Sequence, residues 1–292
     1  MPTFDTPHPI LVTLDIGVGD VRIAASERTD TTVEVRPSNA SKQADVTAAE
    51  QTRVEYEDGR LLIKAPKGWR SYMPRGGGES IDLQIELPAG SQVRGEAGVA
   101  ALRCTGPLGE CHYNTGVGDV HVEEARPVHL TTGVGDVAVD RAFGHAQIST
   151  GSGSVQIGAV EGTATIKGAN GSTWVGDVSR DLRVIAANGS ISVDHSHGTV
   201  VARTANGDVS LGEVEGGTVV AQTAMGRLDI GIRQGVAAWL DLDTKFGKVH
   251  NDLEATTRPQ PGEQSVEVRA RSSFGDITIH RAVASPTVAT GS

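Results

Sequence analysis

The stretch TTGVGDVAVD, residues 131–140, nearly repeats NTGVGDVHVE at residues 114–123, and IGVGDVRIA at residues 16–24 carries the same GVGDV core. A glycine-rich pentapeptide met three times is either a loop that holds a ligand or a device that turns the chain. Spacing decides between them. Taking Gly118 as reference, the matching position falls at Gly135, Gly153, Gly171, Gly189, Gly207, Gly226, Gly247 and Gly275, with Ala100 one unit earlier. The separations from Ala100 onward are 18, 17, 18, 18, 18, 18, 19, 21 and 28 residues. Self-similarity at a fixed period is the mark of a repeat architecture.

The positions around the reference show what each unit is. Two places after it stand Val120, Val137, Val155, Ile191, Val209, Leu228 and Ile277, and four places after it Val122, Val139, Ile157, Val193, Leu211, Ile230 and Ile279. The residue between them is usually polar, as in His121, Gln156, Ser192, Ser210 and Asp229. This is the alternation of a half-buried strand. A second strand comes earlier, with apolar pairs such as Val128 and Leu130, Ala146 and Ile148, and Leu182 and Val184, seven and five places before the reference. The unit is thus strand, Gly-centred corner, strand, second corner. One unit cannot bury its own apolar edge, whereas stacked copies build a continuous core. The expected fold is all-β: a single-stranded parallel β-helix, or β-solenoid, of about 18 residues per coil. Ten coils would form a rod on the order of 48 Å long. Gly at the corner supplies a positive φ, and the following Asp119, Asp136 or Asp208 is expected to bond the turn's own backbone.

Residues 1–90 are less regular. ILVTLDIGVGDVRI carries the unit around Gly19, and TVEVR, RVEYEDGRLLI and SIDLQIELPAG read as further strands, so this segment is assigned to the opening turns and cap, residues 91–280 to the regular repeats and 281–292 to a disordered tail. KAPKGWRSYMPRGGGES (64–80) and ATTRPQPGEQ (255–264) are rich in Pro, Gly and polar residues and read as loops. No amphipathic helix of useful length is evident.

Composition narrows the function classes. A net charge of -10 without a Lys/Arg run disfavours nucleic acid as a partner. The opening MPTFDTPHPI lacks the basic and apolar regions of an export signal, and no apolar run is long enough to cross a bilayer, so the expectation is a cytoplasmic protein without membrane insertion. Cys104 and Cys111 both fall in apolar ladder positions and read as small core residues.

On its GVGDVxV units at about 18-residue spacing, following an amino-terminal segment with VEYEDGRLLI, the chain resembles the bacterial β-strand-repeat family labelled "putative adhesins". The resemblance covers nearly the whole chain and implies a right-handed, single-stranded β-helix-like solenoid with no established activity. The coil length is also similar to that of bactofilins, which polymerise.

Sharper chemical readings fare poorly. A dinucleotide loop at Gly116, Gly118 and Asp119 would need a third glycine and a following helix, where a strand follows. A calcium β-roll needs an Asp in every turn, but Ser154, Ser172, Ser190, Arg227 and Lys248 fill the equivalent corner elsewhere. The corner acids are too scattered for a glycosidase or lyase. His195 and His197 in VDHSHG lack a third ligand in register for zinc. No catalytic, cofactor or metal residues are therefore assigned. Two interaction surfaces are. The loop with Trp69, Arg70, Tyr72, Met73 and Arg75 gathers residue types enriched at interfaces, or else folds over the first coil. At the carboxyl end Phe274, Ile277 and Ile279 are the last ladder residues; either the 255–264 insertion covers them or two molecules meet there, the latter being favoured because the insertion is small and polar. The leading expectation is a non-enzymatic scaffold or protein-interaction module that binds a protein partner or itself. The alternative is a carbohydrate-binding or polysaccharide-active β-helix protein, with Trp174 as the only aromatic residue on a regular outer strand position.

Overall fold

The computed structural model describes residues 2–66, 79–254 and 264–282 and forms two compact units, residues 1–171 and 172–292. The candidate loop residues Trp69, Arg70, Tyr72, Met73 and Arg75 and the tail after Ala282 lie outside the described residues. The protein is nearly all β. Among the described residues, no helix is long and apolar enough to cross a membrane.

The first unit holds β1 (Thr3–Asp5), β2 (Leu11–Ser26), β3 (Asp30–Pro37), α1 (Gln43–Gln51), β4 (Arg53–Glu57), β5 (Arg60–Lys64), β6 (Ile81–Pro88), β7 (Gln92–Pro107), β8 (Cys111–Val117), β9 (Val120–Ala125), β10 (Val128–Val134), β11 (Val137–Ser152) and β12 (Val155–Asn170). From β7 onward each coil stacks on the next in parallel register. Val128 of β10 lies opposite Cys111 of β8 and Ala146 of β11, and Leu130 opposite Tyr113 and Ile148. Equivalent slots therefore meet coil after coil, and the inward members, Val120, Val122, Val137, Val139, Val155 and Ile157 among them, are at most 2% exposed. Each such side chain contributes about 1.5 to 3 kcal/mol before entropy is subtracted.

The opening coils follow a path that the repeat does not announce. β2 has β7 on one side and both β5 and β6 on the other, all parallel, so the coil containing β5 and β6 lies outside β2 although it comes later in the chain. That outer coil is closed by antiparallel strands: β4 on β5, β3 on β6, and β1 on β3. Antiparallel additions interrupt the stacking direction and blunt the edge. RVEYEDGRLLI, read as a strand, is a hairpin whose turn residues Asp58 and Gly59 take φ of 47° and 75°. The helix α1 was not anticipated; its nine residues are too few for a periodic signal, and its Asp45 is buried against Lys42 and the Ser80 N–H.

The second unit holds β13 (Thr173–Val178), β14 (Leu182–Asn188), β15 (Ile191–Ser196), β16 (Val200–Asn206), β17 (Val209–Val214), β18 (Gly217–Met225), β19 (Leu228–Ile232), β20 (Ala237–Phe246), β21 (Val249–Asn251), β22 (Ser265–Phe274) and β23 (Ile277–Arg281). Its coils also stack in parallel, but the last two are exchanged. β22 pairs with β18 on one side and β20 on the other, and β23 lies between β19 and β21. The chain goes out to β20–β21 and returns to fill the coil it skipped. The separations of 21 and 28 residues at Gly247 and Gly275 are the trace of that detour.

Corner chemistry recurs from coil to coil. Gly118, Gly135, Gly153, Gly171, Gly189, Gly207, Gly226 and Gly275 have φ between 134° and 151°, whereas Gly247, between β20 and β21 in the outermost coil, lies outside that range. A Cβ on Gly153 would lie 2.0 Å from the carbonyl oxygen of Gly135, so the coil spacing itself excludes a side chain there. The expected Asx bond within the turn is replaced by one between coils. Asp119 accepts from the N–H of Asp136, Asp136 from that of Ser154, and Asp208 from that of Arg227. Stacking brings the next coil's donor to the carboxylate. Three places before the corner an inward hydroxyl does the complementary job: Thr132 donates to the carbonyl of Gly118, Thr150 to Gly135, Thr204 to Gly189 and Thr223 to Gly207.

Candidate functional site

At Gly118 and Gly135 GVGDV is thus a turning device whose polar atoms serve the neighbouring coil, whereas the copy at residues 17–21 lies within β2. Chemistry must be sought on the outward positions, where residues one coil apart in sequence stand side by side.

One such place is on β8 and β10. His112 and His129 are register partners, and their rings stack with centroids 5.9 Å apart. Glu110 precedes β8, and its carboxylate, His112 and His129 each offer a donor atom within 4.8 Å of the other two. Arg94 of β7 holds one oxygen of Glu110 at 3.2 Å. Nδ1 of His129 is shielded from solvent and has no hydrogen-bond partner among the described residues. Burial, with His112 and His145 close by, lowers the His129 pKa and favours neutral imidazole. The cluster borders a groove of about 600 Å³ lined by Asp15, Lys64, Arg94, Glu96, Glu110 and His112, among others. These three residues were missed because outward slots were compared from coil to coil only on the strand after the corner; His112 and His129 occupy one outward slot of the strand before it, 17 residues apart.

The VDHSHG segment is used differently. Nε2 of His197 meets Asp177 and its Nδ1 meets Glu215, both at 2.9 Å, and Arg233 pairs with Glu213 and Glu215. Burial works against the imidazolium, but the bonds to Glu215 and Asp177 outweigh it and raise the pKa. With a carboxylate on each ring nitrogen, His197 is the centre of an ion-pair network. Cys104 and Cys111 are free thiols in the core, and the hydrogen bond that the Cys104 thiol donates to Cys111, together with burial, raises the Cys104 pKa. Trp174 is partly exposed and its indole N–H donates to Asp194.

The second candidate surface is the terminal coil of the second unit. Ile277 and Ile279, assigned from the sequence to an exposed end, are fully buried, because β21 covers β23. Phe274 is half exposed and stacks on Phe246 with centroids 4.8 Å apart. The edge belongs instead to β20 and β21. Among the described residues β20 pairs only with β22, and Trp239, Phe246 and Val249 are 61%, 65% and 45% exposed. The intervening residues 255–263 lie outside the described residues.

Comparison with known proteins adds a family. The family described as Toastrack DUF4097 matches residues 12–288. Similar solved structures include a "putative adhesin" of Parabacteroides merdae, 12% identical, covering 97% of this chain and 95% of that one with a TM-score of 0.37. Another is a "putative adhesin" of Parabacteroides distasonis, 14% identical, with 95% of each chain covered and a TM-score of 0.34. A "putative cell adhesion protein" of Clostridium sporogenes is 14% identical, covering 96% and 98% with a TM-score of 0.29. A search of curated proteins finds no match.

Proposed function

The chain belongs to the Toastrack DUF4097 family, and we propose that it is a non-enzymatic protein-interaction scaffold and that its terminal coil joins it to a second copy. The observation that carries this reading is the ten-residue edge strand β20, with one strand neighbour among the described residues and with Trp239 and Phe246 exposed along it. Such an edge is a template for another strand. A two-fold axis through Thr244 pairs β20 with its own copy in the antiparallel sense and sets Asp243 opposite Lys245 twice, with Leu242 opposite Phe246. Opposite charges and apolar pairs facing across strands each favour the pairing by about 0.2 to 1 kcal/mol.

Sedimentation or light scattering of the full chain tests this. The wild type is expected to dimerise, Asp243→Lys to weaken the dimer about fivefold or more, and the exchange Asp243→Lys with Lys245→Asp to restore it. A wild type that stays monomeric at high concentration, or a double exchange no better than the single, overturns the proposal. A glycan-binding reading rests on Trp174 beside Asp194; saturable binding on a glycan array that is lost in Trp174→Ala would favour it.

A further inference from the structure

We propose that Glu110, His112 and His129 form a binding site for a divalent transition-metal ion of the zinc class. The three donors, one carboxylate and two imidazoles, are the set that zinc takes in open sites, where a fourth position stays free for water or another ligand. Their atoms lie within 4.8 Å of one another. Around a tetrahedral ion with bonds of about 2.0 to 2.2 Å, donors stand about 3.4 Å apart, so modest side-chain rotation closes the set. The backbone beneath is already fixed: His112 and His129 sit on neighbouring parallel strands in the middle of a stack, and Arg94 restrains the Glu110 carboxylate through one oxygen, leaving the other available.

The second observation is the orphaned nitrogen. In the proposed site this nitrogen, Nδ1, is the His129 ligand: it is shielded from solvent and has no hydrogen-bond partner among the described residues, and an unsatisfied buried polar atom costs free energy that coordination removes. The groove beside Glu110 and His112 leaves room for the fourth ligand. His145, whose ring lies 6.0 Å from that of His129, is engaged by Thr163 at 2.8 Å and is not part of the set. Bridging β8 to β10, the ion would staple two coils together. This inference is independent of the scaffold reading.

The test is calorimetric titration of zinc chloride into chelator-treated full-length protein, with the visible spectrum of the cobalt(II) form as a second readout. One ion per chain is expected, with a cobalt spectrum of four-coordinate nitrogen and oxygen ligation and a rise in melting temperature on adding zinc. His129→Gln, His112→Gln and Glu110→Gln should each weaken binding about tenfold or more, while His145→Gln leaves it unchanged. Circular dichroism of the metal-free variants checks folding, and the three substitutions make the result independent of any one of them. Binding no tighter than millimolar, affinity unchanged in His112→Gln and His129→Gln, or a sulfur-to-cobalt band reporting Cys104 or Cys111 would overturn the proposal.

Discussion

Gly153 carries two constraints at once, a φ of 143° and a carbonyl oxygen 2.0 Å from where its Cβ would be. Three residues on, Gln156 points outward from β12 and meets neither. Gly153→Val is accordingly expected to destabilise the chain by more than about 1 kcal/mol, and Gln156→Val to be nearly neutral, in parallel denaturation curves. Equal losses would mean that the corner is not where the coils touch. The positive φ was legible in the sequence, since a glycine recurring at fixed spacing before a strand has few other uses. The close approach was not, because it depends on the gap between coils. The hydroxyl three places before the corner was legible and overlooked: Thr132, Thr150, Thr204 and Thr223 share that slot, interrupted by Gly168 and Ala186, and their bonds to Gly carbonyls are what an inward polar side chain in an apolar ladder must find.

Between elements, the outward positions carry the electrostatics. His197 follows β15 and reaches Asp177 on β13 and Glu215 after β17, so one imidazolium links three coils of the second unit. Its pKa is raised in the folded state above the usual 6.5. The folded form thus holds the proton more tightly than the unfolded chain, and the resulting stability is fully present below about pH 6.5 and fades as pH rises through the folded value. His197→Gln should therefore lower the melting temperature at pH 5.5 and have a smaller effect at pH 8.5. A loss that is larger at pH 8.5 would show that His197 acts through packing rather than charge. The same outward logic explains why Glu110, His112 and His129 escaped notice. Polar residues that are 17 or 19 positions apart look unrelated until the register stacks them.

Across each unit as a whole, the repeat specifies slots but not the order in which the chain fills them. Val249 and Ile277 occupy the same ladder position, and any coil of suitable length with apolar residues there can stack on β19. The order is set by connections: the stretch from Asp252 to Gln264 is long enough to carry the chain back from β21, and the cap of β3, α1 and β4 lets β5 and β6 arrive outside β2. Neither connection has a periodic signature, which is why the exposed edge was assigned to Ile277 and Ile279 when β20 and β21 lie beyond them. This order makes a prediction that a sequential solenoid would reverse. A stack frays from its outermost coil, because that coil has hydrogen bonds on one side only. If coils were stacked in chain order, protection from amide exchange would fall steadily toward the carboxyl end, and β22 and β23 would exchange first. With β22 held between β18 and β20, and β23 between β19 and β21, the amides of residues 265–281 should instead exchange more slowly than those of 237–251. Hydrogen-exchange mass spectrometry on a wild type kept monomeric by dilution, so that β20 is not covered by a second copy, reads the two segments as separate peptides. Faster exchange in 265–281 than in 237–251 would put the chain's last coil back at the edge.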